Sequence, residues 1–148
     1  MPGTLAYFDT SVLVKRYIRE PSSIHARDLL RRHRFLSSAI APVETTSALR
    51  RRRIAGDLSE RDFLAILTRI KRDCVYWELV EVSPQVLVQA EDLIRKTDLR
   101  TLDALHVASV LVFQTTSGLR IPFVTGDQRQ RDAGEQLDLD VVWVGPKS

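Results

Sequence analysis

The sequence has 148 residues, of which 44% are hydrophobic and 28% charged, a balance that excludes a disordered chain and suits one domain with its own core. The formal net charge of +3 permits a nucleic-acid partner but does not by itself require one. The single cysteine, Cys74, excludes an internal disulfide framework and a zinc site built from several thiolates.

The cellular location is predicted from signals that the sequence lacks. The N-terminus has no basic region followed by an apolar stretch and a small-residue cleavage site, which a secretory signal would need. The longest apolar segment, residues 105–113, is well short of the ~20 residues that span a bilayer. We therefore expect a cytoplasmic protein that is not embedded in a membrane.

The first part of the chain is predicted to form a strand followed by two helices. A buried strand begins at Leu5 and ends before Asp9, and a short helix follows over residues 12–18. Ser22 or Ser23 is expected to cap the second helix. The inner face of this helix is predicted to carry Ile24, Leu29 and Leu30.

The middle of the chain continues this alternation of strands and helices. A strand over residues 35–38 leads into a long helix, residues 40–55, which Gly56 ends. Ser59 and Asp62 form a capping-box-like start to a fourth helix. The packing face of that helix is predicted to consist of Phe63, Ile66, Leu67 and Ile70.

The last part of the chain is predicted to contain three strands and three helices. A strand over residues 77–82 precedes a helix with Ser83 as N-cap and Pro84 in its first turn. The inner face of this helix would carry Val86, Ala90, Leu93 and Ile94. The remaining elements are a helix opening at residues 99–106 and buried over 104–113, a strand at 121–125, a polar helix at 129–136 and a strand at 141–144.

The regular alternation predicts the fold class. Strands separated by helices are typical of a three-layer α/β/α domain with a mainly parallel central sheet, and no linker interrupts residues 1–148. Right-handed crossovers would place the carboxyl ends of the strands at one edge of that sheet. Ligands of open parallel sheets bind at this edge.

Four acidic residues are predicted to meet at the carboxyl edge. Asp9 and Asp127 follow predicted strands, whereas Glu44 and Asp103 lie near the starts of helices. Each has a structural interpretation, because aspartate is a good N-cap and acids favour the positive end of a helix dipole. For Asp9 alone, the capping interpretation is the stronger one, but four acids at one rim are difficult to explain by capping.

Clustered carboxylates repel one another unless a cation lies between them. Oxygen ligands, without cysteine pairs or a His-x-x-x-His helix motif, favour Mg²⁺ or Mn²⁺ over zinc. Such ions orient phosphate oxygens and activate water, so the pattern indicates metal-assisted hydrolysis of a phosphodiester.

Four short motifs contain the acids and stand in a fixed order: Asp9-Thr10-Ser11, Ala41-Pro42-Val43-Glu44, Leu102-Asp103-Ala104-Leu105-His106 and Thr125-Gly126-Asp127. Together they resemble the motifs of PIN-domain ribonucleases, in particular the VapC-type toxins of toxin–antitoxin pairs. The resemblance spans residues 5–144 and implies an α/β/α fold and Mg²⁺- or Mn²⁺-dependent cleavage of RNA. It implies that the catalytic and metal-binding acids are Asp9, Glu44, Asp103 and Asp127. The hydroxyls of Thr10, Ser11 and Thr125 would orient those acids or the substrate.

The resemblance also implies a VapB-type antitoxin as partner, and we expect a homodimer. The long third and fourth helices are predicted to offer an apolar surface for either contact, through Leu49, Ile54, Leu58, Phe63 and Leu67. RNA contacts are expected from the four arginines at positions 50–53, with Lys15 and Arg16, although these arginines could equally form a solvated helix end. His106 is expected to pack against the sheet with one hydrogen bond.

Other functions agree less well with the sequence. A metal-free ribonuclease would need paired acid–base groups, and the three histidines show no such spacing. An aspartyl phosphatase would have a second aspartate where Ser11 stands, and a receiver domain would have adjacent acids after its first strand. The main alternative is a non-catalytic RNA- or protein-binding module that keeps the acidic pocket.

Overall fold

The computed structural model describes residues 3–146. Within that range the strands are β1 (Leu5–Phe8), β2 (Arg34–Ser38), β3 (Glu78–Val80), β4 (Pro122–Thr125) and β5 (Asp140–Trp143). The helices are α1 (Thr10–Tyr17), α2 (Ser23–Arg32), α3 (Ala41–Ile54), α4 (Glu60–Cys74), α5 (Pro84–Lys96), α6 (Thr101–Ser117) and α7 (Gln128–Gln136). None of the helices in this range is both long and apolar enough to cross a membrane.

The five strands form one parallel sheet in the order β3-β2-β1-β4-β5, which confirms the predicted fold class. β1 is the central strand, because its apolar residues match the parallel-sheet requirement for burial on both faces. The chain leaves β1 toward β2 on one side and returns to β4 on the other. The strand order therefore reverses beside β1, and the crevice at such a reversal is where parallel sheets bind ligands.

Helices cover both faces of the sheet and form three layers. Tyr7 and Phe123 point to one face, where they pack with buried residues of α5, α6 and α7. Phe8 and Val124 point to the other face and pack against α1 and α2. The helices α3 and α4 pack against α1 through a third cluster that includes Leu49, Ile66 and Ile70.

Two details of α2 differ from the prediction. Ser22 precedes the helix in a left-handed conformation (φ 72°) and its side chain makes no capping hydrogen bond. Ser23 instead accepts a bond from the Glu20 N–H and donates to the Ile18 carbonyl, which fixes the preceding turn. Ile24 is 86% exposed, because it lies about 200° around the helix from buried Ala26.

Three smaller expectations also needed correction. Ile94 is 42% exposed, since it lies at the border of the α5 stripe that Val86, Ala90 and Leu93 define. β3 is only three residues long, as is common for an exposed edge strand. The fully buried part of α6 ends at Val110 rather than Phe113, and Leu111, Val112 and Phe113 are only partly buried where they pack against the core. The predicted caps at Ser59 and Ser83 are confirmed.

Candidate functional site

The four predicted acids line one cleft at the carboxyl edge of the sheet. The cleft has a volume of about 250 Å³ and lies where β1 and β4 end and α1, α3, α6 and α7 approach one another. Its lining consists of Asp9, Thr10, Ser11, Val14, Glu44, Ala48, Arg51, Asp103, His106, Asp127 and Gln130. The structure thus brings together the acids that lie up to 118 positions apart in the sequence (127 minus 9).

Asp9 is fully buried and is held by three donors. Its Oδ1 accepts bonds from Ser11 Oγ (2.6 Å) and from the Val12 N–H (3.3 Å), and its Oδ2 accepts one from Thr125 Oγ1 (2.7 Å). Burial raises the pKa of Asp9, while these donors act in the opposite direction. Asp9 is therefore both the N-cap of α1 and part of the cleft, so the two interpretations of this residue are compatible.

Glu44 is held by a buried network that begins on the central strand. Tyr7 Oη lies 2.7 Å from His106 Nδ1, and His106 Nε2 lies 2.6 Å from Glu44 Oε1. Thr10 Oγ1 donates to the same carboxylate oxygen at 2.7 Å. Burial alone would raise the pKa of Glu44, but the hydrogen bond and charge of His106, together with the Thr10 hydroxyl, hold it below its ordinary value.

The expectation of a single hydrogen bond for His106 was wrong. Both ring nitrogens have partners, because α6 places the imidazole between Tyr7 on β1 and Glu44 on α3. Only 1% of His106 is exposed, so neither nitrogen can be satisfied by bulk solvent. His106 fixes the position of Glu44 relative to the sheet.

Asp103 and Asp127 are connected through Gln130. Asp127 caps α7 by accepting from the Gln130 N–H (3.0 Å), and Asp103 Oδ1 accepts from Gln130 Nε2 (3.2 Å). Burial, and then the charge of Asp127, raise the pKa of Asp103. The two carboxylates therefore repel each other, and Gln130 of α7 is a neutral donor to both.

The oxygen-rich donor set suits a hard cation, but it is not a preformed metal-binding cluster. Within residues 3–146, no three side chains of aspartate, glutamate, histidine or cysteine converge closely enough to hold an ion as they stand. Carboxylates and hydroxyls nevertheless predominate among the polar groups of the cleft. The buried Gln130 Oε1, which has no hydrogen-bond partner in the described part of the chain, is another oxygen donor here.

The sequence did not predict the places of four residues at this site, although His106 stood in one of the motifs and Arg51 in the arginine run expected to contact RNA. His106 lies three positions after Asp103, and Arg51 lies seven after Glu44, so helical spacing indicated that each shares a face with an acid. Gln130 occupies the same i+3 position after Asp127. No local signal identified Tyr7, because its partner His106 is 99 residues away in the sequence.

A parallel α/β domain with an acidic cleft at its strand reversal matches one known family. The model of the PIN domain matches residues 6–136, a range that contains all four acids. The chain therefore belongs to the PIN-domain family, as its motifs predicted.

Individual relatives make the match more specific. The chain is 35% identical over 137 residues to "Ribonuclease VapC46" of Mycobacterium tuberculosis. The aligned residues cover 92% of this chain and 95% of that protein. Among solved structures it is similar to VapC20 of the same organism, a "Sarcin-Ricin loop cleaving toxin", with a TM-score of 0.64, 18% identity and coverage of 87% and 95%. It also resembles VapBC2 of Rickettsia felis bound to promoter DNA, with a TM-score of 0.64, 13% identity and coverage of 93% and 98%.

The pKa of Asp103 is raised and that of Glu44 is lowered, so replacing each carboxylate by its neutral amide should change the stability of the fold in opposite directions. The folded-state pKa of Asp103 lies above the ordinary 3.8, so its contribution to stability falls as pH rises through that pKa. In a chelating buffer, Asp103→Asn should raise Tm at neutral pH by about 1–3 °C, and the gain should disappear near pH 3.5. Thermal melts from about pH 3.5 to about pH 8 would measure this.

Glu44→Gln is the matched control for that series. The folded-state pKa of Glu44 lies below the ordinary 4.5, so its ionised form stabilises the fold above that pH and loses this effect as pH falls through the lowered pKa. The variant should therefore lower Tm at neutral pH. A gain in Tm from both substitutions would contradict the assignment of His106 as the partner of Glu44.

The His106 network should be visible in unfolding free energies. His106→Ala leaves buried Tyr7 and Glu44 without their partner and should destabilise the protein by about 3 kcal/mol, whereas Tyr7→Phe removes one bond and should cost about 1 kcal/mol. Urea denaturation measures both values. Tyr76→Phe is the control, since Tyr76 is 83% exposed and should have no effect. Equal values for the two tyrosine variants would refute the network.

Proposed function

We propose that this protein is a Mg²⁺- or Mn²⁺-dependent endoribonuclease that acts as the toxin of a toxin–antitoxin pair. The single observation that carries the proposal is that four carboxylates line one cleft of about 250 Å³. Similarity to a protein named as a ribonuclease over 92% of the chain supports RNA as the substrate. The presence of all four acids argues against a non-catalytic module that merely keeps the pocket.

Asp9, Asp103 and Asp127 would bind the metal directly, and Glu44 would bind it directly or through water. When bound, the ion supplies positive charge for the phosphate oxygens and lowers the pKa of an attacking water. The chain's own residues prepare for this. Ser11 and Thr125 donate to the two carboxylate oxygens of Asp9 and hold them in fixed directions. His106 and Thr10 hold Glu44, whose lowered pKa keeps it ionised at neutral pH.

RNA cleavage by purified protein is the direct test of the enzyme assignment. Asp9→Asn should reduce metal-dependent cleavage of RNA to background, because Asp9 is the buried acid at the end of the central strand. Asp140→Asn is the control, since Asp140 is exposed on β5 and outside the cleft. Cleavage is followed with Mg²⁺, with Mn²⁺ and with a chelator. Substantial cleavage by a folded Asp9→Asn protein would contradict the assignment.

A VapB-type antitoxin is the partner that we propose, and homodimerisation remains our expectation. The structures that this fold resembles include complexes described as toxin–antitoxin assemblies. Restraint of a ribonuclease requires an inhibitor, and an acidic cleft attracts a basic side chain in place of a cation. The apolar surface needed for docking lies between α3 and α4, in a groove of about 610 Å³.

The groove has a different lining from the surface predicted from the sequence. Leu49 is fully buried in the core between α1 and α3, so it cannot contact a partner. Leu67 does line the groove, together with Pro42, Val43, Thr46, Leu64, Thr68, Ile70, Lys71 and Cys74. Val43 and Leu64 are 74% and 53% exposed, which leaves apolar surface for an amphipathic helix.

Co-expression tests the partner assignment. Expression of the protein alone should stop growth, Asp103→Asn should relieve this toxicity, and the product of an adjacent small gene should co-purify with it. Leu64→Glu should weaken co-purification while RNA cleavage persists, because it places a charge in the apolar groove. Ile24→Glu, which alters an exposed apolar residue on α2, is the control. A protein that cleaves RNA but is harmless alone and binds no neighbouring gene product would refute the toxin role and leave the nuclease role intact.

A further inference from the structure

The acidic cleft presents an electrostatic problem for any RNA substrate. The metal ion would serve the phosphate that is cleaved, but Asp9, Glu44, Asp103 and Asp127 still repel the neighbouring phosphates, which a fixed cation near these acids would hold. Among the residues that line the cleft in the described part of the chain, Arg51 is the one lysine or arginine. It reaches the cleft from α3, seven residues and two helical turns after Glu44.

The other cations that the sequence suggested for RNA contact, apart from Arg50, are already paired. Arg52 contacts Glu20 and also lies 3.7 Å from Asp57, and Arg53 contacts Glu60. Lys15 Nζ lies 3.0 Å from Glu20, and Arg16 Nε lies 3.6 Å from Asp73. These pairs neutralise much of the positive charge that the sequence suggested for RNA contact.

Arg51 is different from its neighbours. Across residues 3–146 no carboxylate lies within salt-bridge distance of its guanidinium, and its hydrogen bond goes to the neutral Ser47 hydroxyl at 3.0 Å from Nη1. A guanidinium has five N–H donors, so this single contact leaves most of them for a ligand. The charge of Arg51 also contributes to the lowered pKa of Glu44, which agrees with its place beside the acids.

A second cleft continues from the first at Arg51. It has a volume of about 420 Å³ and shares Ser11, Val14, Ala48 and Arg51 with the acidic cleft. Beyond these shared residues it is lined by Lys15, Glu20, Arg52 and Ala55. A chain leaving the acidic cleft between α1 and α3 would therefore pass over Arg51 first.

We propose that Arg51 binds a backbone phosphate of the RNA next to the one that is cleaved, on the side where the two clefts join. The inference rests on the proposed ribonuclease function and adds to it the direction in which the substrate leaves the acids. The planar guanidinium can donate two parallel hydrogen bonds to one phosphate, a fixed geometry that the single ammonium of a lysine does not provide. Arg51 is thus a substrate-binding residue, distinct from the acids that would hold the metal.

The test compares adjacent arginines on the same helix. Arg51→Gln and Arg50→Gln remove the same charge from α3, but Arg50 is exposed and lines neither cleft. Binding of a mixed-sequence single-stranded RNA is measured in the Asp103→Asn background with Mg²⁺, over a range of salt concentrations. Arg51→Gln should weaken binding by about tenfold and reduce the slope of log K against log salt by about 0.7, whereas Arg50→Gln should have little effect on either.

Arg51→Lys separates charge from geometry. It should keep the wild-type salt slope and bind with an affinity between those of wild type and Arg51→Gln, because the ammonium retains counterion release but loses the two-point contact. A Lys variant whose slope falls as far as that of Arg51→Gln would overturn the assignment. Thermal melts of each variant confirm that it is folded, and the Lys variant serves alone if the Gln variant is not.

Other outcomes distinguish this inference from the function on which it rests. Equal losses of RNA affinity for Arg51→Gln and Arg50→Gln would overturn the specific role of Arg51. RNA cleavage by the unsubstituted protein would still support the ribonuclease function. Arg51→Gln is also made with Asp103 intact, so that kcat can be measured. A change in kcat and in its pH profile, with an unchanged salt slope of binding, would mean that Arg51 acts only through Glu44. That result also overturns the phosphate contact. If the unsubstituted protein neither binds nor cleaves RNA, the proposed function itself fails.

Discussion

The placement of four negative charges at one edge of the sheet is the constraint on which the rest of the structure depends. Each carboxylate has a nearby donor: Ser11 and Thr125 for Asp9, Thr10 and His106 for Glu44, and Gln130 for both Asp103 and Asp127. These hydrogen bonds offset the free-energy cost of removing each carboxylate from water, but they do not remove the repulsion between the carboxylates. The raised pKa of Asp103, caused by burial and then by Asp127, is the remaining sign of that repulsion.

Local helix-forming rules and the functional geometry use the same side chains. Asp9 and Asp127 begin α1 and α7 as N-caps, and the positive end of each helix accommodates the negative charge of its capping carboxylate. Asp103 and Glu44 lie in the first turns of α6 and α3. Because the parallel sheet starts these helices at a common edge, capping brings all four acids to one cleft without an additional structural element.

Several of the positive charges near the cleft are paired with carboxylates close to them. Glu20 accepts both Lys15 and Arg52, and Glu60 accepts Arg53, so three cations near the cleft already have partners. Arg51 points to the acids instead, where its charge acts on Glu44 and on any phosphate that enters. A run of four arginines in the sequence therefore contributes one cation to the site, while two of the others connect α3 to neighbouring segments.

The sequence by itself determined what depends on local pattern: the alternation of strands and helices, the caps at Ser59 and Ser83, and the acids at strand ends and helix starts. Parallel topology then made a shared rim predictable. Tertiary structure alone decided which arginine faces the acids, that Ile24 is exposed, and that His106 joins Tyr7 to Glu44. These outcomes depend on how helices rotate and pack against residues up to 99 positions away, and no local periodicity encodes that information.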